Sequence, residues 1–188
     1  MKPVLILLLA GLALPAAAAE LTSAYTTRDN GTECSVIDQA PADEGDWADI
    51  VCTGVAGYPY VIRYGDGRET VTYGFAAESG MPSFGPFNYA NNTVEWRLRI
   101  GEGTRRPVAA IQRWFIANTE GEWARQLLVV SRVGQPDGGG ACVVGYVATS
   151  VAGANERARA LADNAEDFDC GSDAPAVEEA VRDLVPPA

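Results

Sequence analysis

Four cysteines, Cys34, Cys52, Cys142 and Cys170, constrain this 188-residue chain most, because the sequence ahead of them reads as an export signal. Lys2 supplies a charged start, an apolar stretch runs over residues 4–14, and Ala17, Ala18 and Ala19 are the small residues before Glu20. That stretch meets Pro15 and is shorter than the about 20 residues a membrane-spanning helix needs. The expectation is a cleaved signal over residues 1–19, a single globular domain over 20–188, and no membrane span after cleavage. Export leads to an oxidising compartment, the periplasm or outside the cell, where an even number of cysteines favours disulfides. Zinc is disfavoured, since its sites usually bring two thiolates within a few residues of each other.

Three pairings are open to four cysteines. Alternating apolar residues predict a strand from Cys142 to about residue 150, roughly 26 Å long at the usual strand rise. A helical pattern then predicts a helix over residues 155–168, which returns roughly 20 Å. An antiparallel return sets Cys170 beside Cys142 and leaves Cys34 for Cys52, closing a loop around the acidic residues 43–49.

Glycine and proline are frequent, with 20 and 11 residues, as expected of short strands joined by turns. A hairpin is predicted over 58–64 and 68–75 around Gly65-Asp66-Gly67. Residues 93–100 alternate, with Val94, Trp96, Leu98 and Ile100 on one side and Glu95, Arg97 and Arg99 on the other. Further strands are expected over 107–117, 123–133 and 141–150. Ala158, Leu161, Ala162, Ala165 and Phe168 line one face of the predicted helix, and a second short helix is expected from Pro175 with Val177, Val181 and Leu184 as its apolar stripe. The expected architecture is α+β: one curved antiparallel sheet of about six strands, meander-like, covered by one or two C-terminal helices and held by two disulfides.

Composition removes whole classes of chemistry. There is no histidine, and the only lysine is Lys2 inside the signal. A histidine-based triad, histidine metal ligands and a Schiff-base lysine are therefore excluded from the exported chain. Charge is unevenly spread: residues 20–59 hold one arginine against eight acids, residues 60–133 nine against seven, and residues 134–188 three against ten. A basic centre lies between acidic flanks. Arg97, Arg99, Arg105, Arg106 and Arg113 concentrate that basic charge and are candidates for binding a small anion, since guanidinium groups take carboxylate or phosphate through paired hydrogen bonds. The competing reading is internal neutralisation, with an acidic terminal segment folded across the basic strands. Nucleic acid is not an expected partner of so acidic a chain.

Carboxylate catalysis is the one hydrolytic option left, with Asp66, Glu69 and Glu95 as candidates for a glycan hydrolase that would need two carboxyl groups about 5 to 10 Å apart. Asp66 reads more simply as a turn residue, and the two glutamates as strand residues. Asp167, Asp169 and Glu178 sit at the first, third and twelfth positions of a calcium loop, but Ser172 occupies the position that requires glycine. No metal site or cofactor is expected. Tyr58, Phe84, Phe87 and Tyr89 form a possible aromatic binding surface, whereas Trp96, Trp114 and Trp123 read first as core.

Several short segments carry a resemblance: Thr22-Ser23-Ala24-Tyr25-Thr26, Cys52-Thr53-Gly54 with Gly57-Tyr58-Pro59, Phe84-Gly85-Pro86-Phe87-Asn88, Glu95-Trp96-Arg97, Arg113-Trp114 and Cys142-Val143-Val144-Gly145-Tyr146-Val147. In these the chain resembles a group of small exported proteins of alphaproteobacteria with no assigned activity. The resemblance implies a bacterial periplasm, so that the sequons at Asn30 and Asn91 carry no glycan, and it brings no catalytic residue with it. The functional expectation is a non-enzymatic domain that binds an envelope component or a cationic protein, such as a lysozyme-like hydrolase.

Overall fold

A computed structural model describes residues 20–28, 33–75, 83–101 and 103–185; the signal over 1–19 lies outside the described residues. Ten strands follow in order: β1 (Glu20–Thr27), β2 (Cys34–Gln39), β3 (Ala48–Thr53), β4 (Pro59–Gly65), β5 (Arg68–Tyr73), β6 (Asn88–Gly101), β7 (Thr104–Ile116), β8 (Arg125–Arg132), β9 (Cys142–Ala148) and β10 (Ala176–Val177). One α-helix, α1 (Ala154–Ala162), lies between the last two. The chain is thus mostly β, and the strands form two sheets rather than one. A six-stranded sheet has the order β1-β6-β7-β8-β9-β10 and a four-stranded sheet the order β2-β3-β4-β5. All pairs are antiparallel except β10 with β9.

Period-2 alternation explains the layers. Along β6, Val94, Trp96 and Leu98 are fully buried with Tyr60, Ile62, Val71 and Tyr73 of the smaller sheet, making the main core. On the opposite face of the large sheet, Ala109, Ile111, Leu128, Val130, Val144 and Val147 pack against Ala158, Ala162 and Ala165. Helix α1 therefore covers one side of the six-stranded sheet and the four-stranded sheet covers the other. Small residues allow the close approach: a Cβ added at Gly145 would lie 2.8 Å from Leu161 Cδ1. At Gly74, whose φ is +83°, β5 runs into a bridge with Gly134, and an added Cβ would lie 2.1 Å from the Gly134 carbonyl oxygen, which ties the two sheets together along this side.

Both disulfides join the expected partners, Cys34 with Cys52 and Cys142 with Cys170. Two expectations are corrected. The segment from Cys34 to Cys52 is no simple loop: its ends are β2 and β3, with Cys34 directly opposite Cys52 in the register. The second C-terminal helix does not form. Ala176 and Val177 instead add a short parallel strand beside Gly145 and Tyr146, and only a 3-10 turn, Glu179–Val181, follows. Ahead of it, Asp173 accepts a hydrogen bond from Asp169 N–H at 2.8 Å and closes a turn. The stripe still does its packing work, because Val181 and Leu184 are buried in the main core. The open edge of β9 offers this backbone hydrogen-bonding partners, and Tyr146 O accepts from Glu178 N–H at 3.2 Å.

Candidate functional site

On the helix side of β6, Glu95, Arg97 and Arg99 alternate with the core residues and project toward α1. The helix and the turn after it return Arg159, Asp163 and Glu166 at helical spacing onto the same space. Arg97 donates from Nε (2.6 Å) and Nη2 (3.0 Å) to the two oxygens of Asp163. Arg99 and Arg106 both bond Glu166. Arg159 donates to both oxygens of Glu95, at 2.6 and 3.2 Å. Ser23 links the two pairs, accepting from Arg97 Nη1 at 2.7 Å and donating to Glu95 at 2.6 Å. Burial works against the Glu95 charge, but the hydrogen bonds from Arg159 and Ser23 and the nearby Arg159 and Arg97 charges outweigh it and hold the carboxyl below its ordinary pKa.

This lock has a pH signature. A folded-state pKa below the unfolded value means that the pair contributes stability at neutral pH and loses it as pH falls from the ordinary carboxylate range through the folded pKa. Thermal midpoints recorded from pH 6 downward are therefore expected to fall more steeply for the native protein than for Glu95→Gln. Equal slopes would remove Glu95 from the lock.

The five arginines proposed for anion binding thus do not share one environment. Arg97, Arg99 and Arg106 lie against the carboxylates of the helix layer. Arg113 donates to Gln126 Oε1 at 3.1 Å, and Arg105 is exposed. The candidate carboxylates are likewise separated. Asp66 is at the β4–β5 turn, with φ of +51°, and pairs with Arg68. Glu69 is 8% exposed, takes both of its oxygens to Arg28 at 3.0 Å and accepts from Ala90 N–H at 2.9 Å. It lies on the face of the smaller sheet that packs on β6, whereas Glu95 lies on the helix side, so the large sheet stands between them. Among the described residues, no group of three or more acids and cysteines is placed to hold a metal. Asp169 closes a turn with Gly171 and Ser172, while Glu178 binds Arg157 and the Ala148 amide.

The aromatic candidates also divide. Phe84 is core, edge-on to Trp114 and Tyr146. Tyr58 packs edge-on to Phe75 and donates to Gln135. Tyr89 stacks on Phe115 at 4.8 Å with Trp123 edge-on to it; Trp123, expected in the core, is exposed. Phe87 is half exposed under Arg68 and lines an open groove with Asn118, Arg125 and Leu184. The arginines of that groove are already held, Arg68 by Asp66 and Gly85, and Arg125 by two bonds to Asp183 at 2.7 and 3.0 Å.

No protein-family model, curated protein or solved structure matches this chain. The two acidic flanks of the chain differ. At the C-terminal end Asp163, Glu166, Glu178, Glu179 and Asp183 all join ion pairs. Between residues 33 and 49 there are six acids and no basic residue. Of these only Asp49 joins an ion pair among the described residues, with Arg63 at 3.3 Å. Glu33, Asp38, Asp43, Glu44 and Asp46 are exposed. Exposed beside them are Val36, Ile37 and Trp47. The sequence marks this segment as an acidic flank closed by a disulfide; the exposure of Val36, Ile37 and Trp47 beside those acids is visible only in the structure.

Proposed function

We propose that this protein is a non-catalytic binding domain of the bacterial periplasm whose partner is a cationic protein met on the acidic β2–β3 side. The observation that carries the reading is the difference in engagement. Most arginines of the basic centre are taken by carboxylates of the same chain, whereas the acids from Glu33 to Asp46 form a run of exposed carboxylates with no basic residue among them on one disulfide-anchored hairpin. Two disulfides fit an oxidising, exported environment. No helix of the described residues is long and apolar enough to cross a membrane. The separation of Glu69 from Glu95 gives no support to a two-carboxylate hydrolase.

Surface charges act chiefly on encounter and selectivity and are screened by salt. The immobilised protein is expected to retain basic proteins over acidic ones at low ionic strength, with weaker retention at moderate ionic strength. The triple variant Asp43→Asn, Glu44→Gln, Asp46→Asn is expected to weaken binding about tenfold, equivalent to about 1.4 kcal/mol spread over three exposed charges. Equal retention of acidic proteins, or unchanged affinity in the triple variant, would count decisively against the reading.

A further inference from the structure

We infer that the partner binds by strand addition: an extended cationic segment pairs with the outer edge of β2. This rests on the reading of a cationic partner and adds how it is held. Strand β2 ends the order of the four-stranded sheet. Every residue after Cys34 in it is exposed, with Val36 at 54% and Ile37 at 61%. A long apolar side chain standing free on an unpaired strand edge is what native sheets usually avoid, because the edge is a template for another strand.

The ladder identifies which backbone groups are open. Thr53 N–H donates to Glu33 O at 2.7 Å, so residues 33 and 53 form a hydrogen-bonded pair. Antiparallel pairs alternate. Cys34 and Cys52 are then a non-hydrogen-bonded pair, in keeping with their close Cα separation of 4.0 Å, Ser35 and Val51 are hydrogen-bonded, and Val36 and Ile50 are not. The N–H and C=O of Cys34 and Val36 therefore point away from β3. Beyond Val36 a bulge shifts the register. On its far side Asp38 Oδ1 accepts from Gln39 N–H at 2.9 Å, occupying that amide with a local side chain. The distal half of the edge is blunted, and among the described residues the half beside the disulfide is open. The bridge to Cys52 holds this half on β3, so an incoming strand meets an edge already ordered.

Charge selects the occupant. Glu33 flanks the open half, Asp38 lies just past the bulge, and Asp43, Glu44 and Asp46 stand on the turn beyond Gln39; with no basic residue among positions 33–49, this edge favours a strand alternating basic and apolar residues. A second copy of this chain would bring the same carboxylates against themselves.

The test uses the full exported chain and an eight-residue peptide of alternating arginine and valine. Its companion carries N-methyl groups on alternate amides, which keeps the charge and removes the ladder donors. Strand addition predicts at least tenfold weaker binding of the methylated peptide and of the unmodified peptide to Val36→Pro. It also predicts slowed amide exchange at Cys34 and Val36 when the unmodified peptide is bound to the native protein, a readout that does not depend on how the variant folds. If both peptides bind alike and those amides stay unprotected, while the triple acid variant weakens both, strand addition is wrong and the cationic-partner reading stands. If neither peptide binds at low ionic strength, both fail. Dimerisation of the peptide-free protein with protection of Cys34 and Val36 would replace the cationic strand with a second copy and overturn the inference.

Discussion

Trp96→Ala is expected to lower the stability of the fold by about 4 kcal/mol, among the larger costs of a single core truncation. Trp96 is fully buried at the contact between the two sheets. Its indole meets Tyr73 edge-on at 5.7 Å and Tyr60 at 6.0 Å, both from the smaller sheet. Its Nε1–H donates to Thr26 Oγ1 on β1 at 2.8 Å. Gly54 accommodates it, because a Cβ there would lie 2.5 Å from the indole Cζ2. Truncation would open a cavity bounded by both sheets and leave the Thr26 hydroxyl without this donor. For a domain of this size the loss corresponds to a fall in thermal midpoint of roughly 8 to 16 °C. Chemical denaturation of the variant measures it. A loss below about 1 kcal/mol would mean that the sheets do not depend on this side chain for their packing.

Removing the Cys142–Cys170 bridge as Cys142→Ser with Cys170→Ser is expected to cost about 3 kcal/mol, the loop-closure restraint on an unfolded chain bridged over 28 residues. The consequence is local as well as global. The bridge returns the chain after α1 to the start of β9, and α1 with its following turn carries Arg159, Asp163 and Glu166, the groups that pair with Glu95, Arg97 and Arg99 of β6. Loss of the bridge is expected to raise amide exchange in residues 154–168 before the main core opens, because that layer is held otherwise by small alanine contacts and ion pairs. Exchange that rises uniformly through both cores would show that the bridge does not act on the helix layer in particular.

Much of this arrangement is legible in the residues alone. The pairing of Cys142 with Cys170 follows from strand and helix lengths, which depend only on rise per residue. The inward faces of β6 and of the helix follow from periods of two and of 3.6. The alternation of Glu95, Arg97 and Arg99 with Val94, Trp96 and Leu98 placed the charged residues on one side of a strand. It could not say which carboxylates would meet them, since Asp163 and Glu166 are more than 60 residues away in the chain.

The division into two sheets was not legible, and the reason is physical. Alternation reports that one face of a strand is buried, and it is the same whether the covering layer is a helix or another sheet. β2 gave almost no signal because an edge strand with both faces exposed has no reason to alternate. β10 gave a misleading one: Val177, Val181 and Leu184 satisfy a helical stripe, yet the free edge of β9 turns the first of them into a strand while the other two reach the core by a tighter turn.

By itself the sequence determined four cysteines, a chain with no histidine and a single lysine at position 2, the chemistry those absences exclude, and a basic centre between two acidic flanks. Tertiary structure decided what the flanks do. Packing of α1 brings Asp163 and Glu166, just after the helix, onto the large sheet, where they spend their charge on Arg97, Arg99 and Arg106 at hydrogen-bonding distance. The acids from Glu33 to Asp49 lie on a hairpin at the far edge of the other sheet, where among the described residues only Arg63 reaches one of them, Asp49, and the others stay in water. Coulombic pairing depends on separation in space, which a count along the chain does not contain.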